Sequence, residues 1–413
     1  MSEKFPFLSL RERDRRWALA RSFLADNDLE CMIMFGMKGR ERFDGYLANE
    51  CGDGVVVLPR EGDPVHLVWT PTRALRRIVK EDEGIESWIS DIRVGSYGKG
   101  VVEVAKERGL EKKRIGTVGF NLNGPAEGDG IIPYNLWIEV LEGLPGVEFV
   151  DVSLAFGKKM LVKSDEEQAV IRFACEIGEK ACQAMFDATQ VGASEYDIYA
   201  DVMRAIHAHG AVSVEPNLIL ALGPNEIGWG HPLWNYSGGP PTLVKSGEMV
   251  QAEIFPVYCG IETQVQMSIG VGAIGDTNRE LGDVARKSYE AGLATLRPGA
   301  TLGELCDAMS KPIMDAECYT VTPLNHSLAP LFWTSGGGQR SDRMTSRDRI
   351  KIIEGSGPPP LDGEFKFEEG MIWQFEPNAC RGDHRVNIGG NVLVTAAGAE
   401  ELNDMPTRMH LKN

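Results

Sequence analysis

The feature that most constrains this chain is a change of pattern at Ser164. Before it, short apolar runs alternate with helical stretches; after it, one long amphipathic helix opens and runs to about Asp187. Ser164 has Glu167 three residues on, ahead of that periodic stretch. This spacing lets each side chain satisfy the other's backbone N–H, the capping box that starts a helix. A fresh start signal directly after AFGKKMLVK puts a domain boundary near 155–163. A chain of 413 residues is expected to build more than one core. We therefore read 1–157 as one domain and 158–413 as another.

The first part alternates strand-like and helical runs. The apolar runs are CMIMFG (Cys31 to Gly36), VVVLP (Val55 to Pro59), VHLVW (Val65 to Trp69), RIGTVGF (Arg114 to Phe120) and VEFVDVS (Val147 to Ser153). Helical patterns lie around 71–80 and 98–109, and this alternation predicts an α/β layer. In the second part, a helix from Ser194 to about His209 follows the long one. Strand-like runs then appear at SVEPNLILALG, MVQAEIFPVYCGIETQVQMSIGVG, GMIWQFEP and NVLVT, with helices around 277–295 and 302–315. The polar, Pro- and Gly-rich segment from Arg340 to Glu369 reads as an inserted loop over a site.

The net charge of −17 argues against nucleic acid or an anionic membrane as partner. No apolar run approaches the roughly 20 residues a membrane span needs. Eight cysteines stand singly, with no CxxC pair, and the charged start MSEKFPFLSLRERDRR lacks a secretory apolar stretch. A cytoplasmic protein with free thiols is the expectation.

Four segments, in order, resemble the creatinase, prolidase and aminopeptidase P family. They are KMLVKSDEEQAVIRFACEIGEKA, GPNEIGWGHP, VKSGEMVQAEIFPVYCGIETQVQ and the tail EEGMIWQFEPN…NVLVTAAGAEELN. The resemblance implies an α/β N-terminal creatinase-like domain followed by an α+β pita-bread catalytic domain. The dinuclear peptidases of that family hold two ions with two Asp, one His and two Glu. At those positions this chain has Glu253, Gln264, a turn SGGGQ that puts Gly337 where the imidazole belongs, Glu376 and Gly389. Two carboxylates are too few for two divalent ions, so no metal and no other cofactor is expected.

What remains is similar to the metal-free creatinase branch, with His231 as general base and acid and Glu253 and Glu376 orienting the substrate. Glu253 and Glu376 each lie inside an apolar run, where a buried carboxylate is costly unless it has a partner. Gln264 and Gln266 share one strand face with Glu262 and Ser268, and of these Gln264 is expected in the pocket and Gln266 and Ser268 on ordinary strand surface. Further substrate-contact candidates are His326, Trp234, Arg340 and Glu262, with Phe332 and Trp333 expected in the core. In creatinase the N-terminal domain of a neighbouring subunit reaches the substrate. The matching stretch, Phe43 to Gly54, offers Glu50 and Asp53 and no arginine, which argues against creatine itself.

The resulting expectation is a metal-independent hydrolase cleaving a C–N bond of a small cationic or amide-bearing metabolite, working as a homodimer with no nucleic-acid or membrane partner. Three alternatives stay open: an Xaa-Pro dipeptidase with one ion held by Glu253, Glu376 and His326; a lyase like the metal-dependent enzymes that cleave dimethylsulfoniopropionate; and a non-catalytic pita-bread binding protein.

Overall fold

The computed structural model describes residues 5–36, 42–50, 54–120, 131–223, 228, 230–335, 340–345, 347–351 and 361–413. The chain divides into two compact units, Phe7–Met160 and Leu161–Asn413. Among the described residues no helix is long and apolar enough to cross a membrane.

The N-terminal unit is built on a six-stranded mixed sheet. Its strands are β1 (Cys31–Phe35), β2 (Gly54–Pro59), β3 (Val65–Val68), β4 (Asp91–Val94), β5 (Arg114–Val118) and β6 (Glu148–Asp151), in the order β4-β3-β2-β1-β5-β6. The apolar runs become the strands buried at its centre: every residue of β1 and β2 is buried. Burial on both faces is why these strands read as continuous apolar runs rather than alternating ones. Strand β4 has no counterpart among those runs, since its sequence DIRV lies half-exposed at the sheet edge. In this unit Glu50 does not stand as an uncompensated acid. Arg77, from the helix Pro71–Asp82, places Nε 2.7 Å from its carboxylate. The like-charge argument drawn from Glu50 therefore fails, because the guanidinium comes from a distant part of the sequence; Asp53 lies outside the described residues.

The C-terminal unit opens with the helix Asp165–Ala188, and the capping box forms as read: Ser164 Oγ accepts from the Glu167 N–H, and Glu167 accepts from the Ser164 N–H. Two sheets follow. The first contains β7 (Val212–Gly223), β8 (Met249–Tyr258), β9 (Ile261–Glu262), β10 (Val265–Val271) and β17 (His410–Lys412), in the order β17-β10-β8-β7 with β9 paired to β8. The second is antiparallel, β11 (Asn325–Ser327), β12 (Ile372–Phe375), β15 (Gly390–Thr395) and β16 (Gly398–Glu401), in that order. A two-stranded hairpin, β13 (Asn378–Arg381) and β14 (His384–Asn387), completes the set.

Strand alternation decides what each sheet offers. Val250, Ala252 and Ile254 of β8 and Val265, Met267 and Ile269 of β10 pack into one core with Ile177, Ala181 and Met185 of the long helix. The intervening residues, Gln251 and Glu253 on β8 and Gln266 and Ser268 on β10, point to the opposite face and are buried as well. The second sheet behaves alike. Phe375 packs edge-on to Tyr289 on the helix Asp276–Thr295, while His326, Gln374 and Asn391 stand in register across β11, β12 and β15. Polar faces of the two sheets meet inside the unit, with the helices on the apolar faces.

The end of the supposed 340–369 loop is not a loop over the site. Phe365 and Phe367 are buried, and stack with Trp333 and Trp373 at 4.9 Å each. Phe332 and Trp333 belong to the same buried aromatic cluster. Residues 352–360 of that segment lie outside the described ones.

Candidate active site

Glu376 follows β12 directly, and Pro377 after it has no N–H to continue the ladder. The Glu376 carboxylate is buried, and its Oε2 accepts from two amides: Gln264 Nε2 at 3.0 Å and Gln266 Nε2 at 2.7 Å. His326 Nε2 lies 3.7 Å from the same oxygen. The other ring nitrogen, Nδ1, is 2.8 Å from the Ser327 carbonyl, which only accepts. The hydrogen is therefore assigned to Nδ1, and Nε2 is the atom turned toward Glu376.

Behind this group runs a chain of donors. Gln266 Oε1 accepts from Gln374 Nε2 at 2.6 Å, and Gln374 Oε1 accepts from Asn391 Nδ2. Asn391 Oδ1 in turn accepts from the Cys175 thiol at 3.2 Å. Burial pushes that thiol well above its ordinary range, so it stays a neutral donor. Every donor in the chain points toward Glu376, an arrangement in which each bond polarises the next.

Glu253 is handled separately. The hairpin β13–β14 carries Arg385 and Asn387 on one face, and both reach it: Arg385 Nη2 at 3.4 Å and Asn387 Nδ2 at 3.0 Å from Oε1. Arg385 also donates to the carbonyl of Gly228, three residues before His231, at 3.2 Å. Ser268 Oγ joins the hairpin to β10 by donating to the Asn387 carbonyl at 2.6 Å.

Of the residues singled out from sequence, Glu376, Gln264 and His326 come together, while Glu253 sits with Arg385 and Asn387. The His231 ring is half-buried, edge-on to Tyr236 at 5.6 Å. Trp234 packs against Tyr196 and Tyr199 of the helix Glu195–Ala208, at 4.7 and 5.4 Å. Glu262 is half-buried on the short strand β9. Arg340 adopts a left-handed backbone (φ 54°); burial pushes the Cys318 thiol up, against weaker opposing pulls from Arg381 and Arg340. Gln266 and Ser268, expected on ordinary strand surface, are instead buried with the cluster, because a second sheet covers that face. Gly337 lies outside the described residues; the imidazole beside Glu376 comes from β11.

The family's metals can be tested against these donors. Among the described residues no three His, Cys, Asp or Glu side chains converge as a metal would require. Glu253, Glu376 and His326 therefore do not form a single-ion site. Gly389, where the last ligand belongs, has no room for one: a Cβ there would lie 2.0 Å from Gln266 Oε1 and 2.4 Å from the Phe375 carbonyl. The residues present do not fit a dinuclear centre. Gly389→Ala is accordingly expected to cost about 2–3 kcal/mol through overpacking; a urea midpoint within error of the parent would refute that crowding.

The family model for Metallopeptidase family M24 matches residues 169–396, more than half of the chain. The chain belongs to this family. The creatinase of a Bacillus species is 22% identical over 419 residues, covering 97% of this chain and 92% of that protein. A shorter match, 26% identical over 172 residues, joins 41% of the chain to 43% of an uncharacterized hydrolase/peptidase of Sinorhizobium fredii. Among solved structures, the Xaa-Pro dipeptidase from Bacillus anthracis superposes with a TM-score of 0.71 at 19% identity, covering 97% of this chain and 99% of that one. The two-domain pita-bread architecture is thus that of the M24 enzymes, and the chain is a hydrolase of this family.

Sequence reasoning misses Arg385, Asn387, Gln266, Gln374 and Asn391 as members of the site. Three of them carry a signal: Gln374 in MIWQFEP, Asn391 in GGNVLVT and Gln266 in TQVQMSIG each interrupt an apolar strand. The cost of burying an unpaired amide, the argument that singles out Glu376, applies to them equally. Nothing in HRVN marks Arg385.

Proposed function

We propose that this chain is a metal-independent, creatinase-like hydrolase that cleaves a C–N bond of a small cationic or amide-bearing metabolite. The observation that carries this reading is the state of Glu376: its carboxylate is gripped by two neutral amides, with an imidazole nitrogen 3.7 Å away. An imidazole, with an ordinary pKa of about 6.5, takes a proton from water at neutral pH and returns it to a leaving nitrogen. In that step the water oxygen bonds to the substrate carbon, the C–N bond breaks, and the proton ends on the departing nitrogen. Glu376 orients the ring and balances its charge while it holds the proton.

The expectation from sequence assigns this role to His231. The contact with Glu376 favours His326 as the proton carrier, with His231 turned to substrate recognition. Glu253, already paired with Arg385, holds that guanidinium in place rather than touching the reacting bond.

The test is a hydrolysis screen over amides, ureas, guanidines and Xaa-Pro dipeptides, run in excess chelator and again with added Mn²⁺ or Zn²⁺. Turnover of a non-peptide substrate that survives chelation is expected. Activity seen only with added metal, or only on Xaa-Pro dipeptides, would discard the reading. The second of those outcomes would favour the dipeptidase activity named for the B. anthracis neighbour.

A further inference from the structure

We infer that Gln264, Gln266 and Arg385 are built-in replacements for the family's metal ions: their N–H groups supply the positive charge that ions would bring to Glu376 and Glu253. The inference rests on the metal-independent reading and says which groups make it work.

Two buried carboxylates in one polar layer repel unless something positive lies between or beside them. Arg385 does this for Glu253, with Nη2 3.4 Å from Oε1 and the side chain only 5% exposed. For Glu376 the positive ends are two amide N–H groups converging on one oxygen. The Gln266 amide cannot turn round freely. Gln266 is pinned by the donor of Gln374 on its Oε1, and Gln374 is pinned by donating also to the Phe375 carbonyl at 3.0 Å. The space is filled too, since the Gln266 amide and the Phe375 carbonyl occupy the place of any side chain at 389.

The spacing makes the inference testable. The two Nε2 atoms lie 3.0 and 2.7 Å from Glu376 Oε2. Oxygen ligands about 2.1 Å from a small divalent ion stand about 3 Å apart along an octahedral edge. Turning both amides into carboxylates, with no change of size, therefore sets two new oxygens each at ligand spacing from Glu376 Oε2, with the His326 imidazole next to it. A carboxylate at position 266 would still accept from Gln374, so the rest of the network is preserved. The two bonds to Glu376 are lost, and a cation would restore the balance.

The experiment compares the parent with Gln264→Glu/Gln266→Glu after dialysis against Mn²⁺ or Zn²⁺, measuring bound metal by elemental analysis and melting temperature with and without the ion. The parent is expected to retain no stoichiometric metal and to show no shift. The double variant is expected to retain about one equivalent and to melt several degrees higher with metal than without it. Adding Glu376→Gln to the double variant should abolish both effects. If the double variant fails to fold, Gln266→Glu alone is expected to show the same metal-dependent rise, smaller in size. A folded variant that takes up no metal overturns the inference while leaving the metal-independent reading intact. Stoichiometric metal in the parent overturns both.

Discussion

Replacing Arg385 with Met is expected to lower folding stability by about 3–5 kcal/mol. The side chain is 5% exposed and its partner Glu253 is 4% exposed, so removing the guanidinium leaves a carboxylate in a dry layer without its cation, although Asn387 still donates to it. The same change frees the Gly228 carbonyl and the Thr322 hydroxyl, both of which Arg385 now bonds. Much of the loss is the cost of an unpaired buried charge, not the strength of the pair, and a second substitution separates the two. Glu253→Gln removes the stranded charge, so Glu253→Gln/Arg385→Met should be more stable than Arg385→Met alone. Urea midpoints for the four proteins of this cycle give the coupling energy directly. Additive losses, or a single-variant loss under about 1 kcal/mol, would show that the pair does not hold β8 and the hairpin together.

Glu376→Gln is expected to reduce hydrolysis of whatever substrate the screen yields by at least about 1,000-fold, with little change in fold. The substitution keeps volume and shape but removes the charge that faces His326. Its amide oxygen can still accept from Gln264 and Gln266, because both donate to the one oxygen Oε2, so the loss reports the missing charge rather than missing hydrogen bonds. His326→Gln should fall in a similar range if that ring carries the proton. His231→Gln should mainly raise KM, with kcat less affected, since its assigned role is recognition. The opposite pattern, a full loss at His231 and a mild effect at His326, would return the proton transfer to the residue expected from sequence. A Glu376→Gln enzyme with near-parent kcat would remove the acid from the mechanism altogether.

How far the sequence reaches depends on the kind of interaction involved. The capping box at Ser164 and Glu167 is legible because it is local: its partners are three residues apart, and backbone geometry alone brings them together. The buried strands of both units are legible for a similar reason, since apolar runs bounded by turn residues have few alternatives. Glu376 stands out because a carboxylate in an apolar strand is costly to bury. Edge strand β4, half-exposed and polar, carries no such mark.

The chain by itself therefore settled its family, its two-domain build and the presence of acids and amides where metal ligands would stand. Only the tertiary structure decided what surrounds them. Arg385 meets Glu253 across 132 residues, Gln266 meets Glu376 across 110, and Glu50 meets Arg77 of the helix Pro71–Asp82. A side chain's charge and reach are written in its type, but its partner is chosen by which faces of two sheets close on each other. That choice is a property of packing over the whole unit, and no local pattern in the sequence records it.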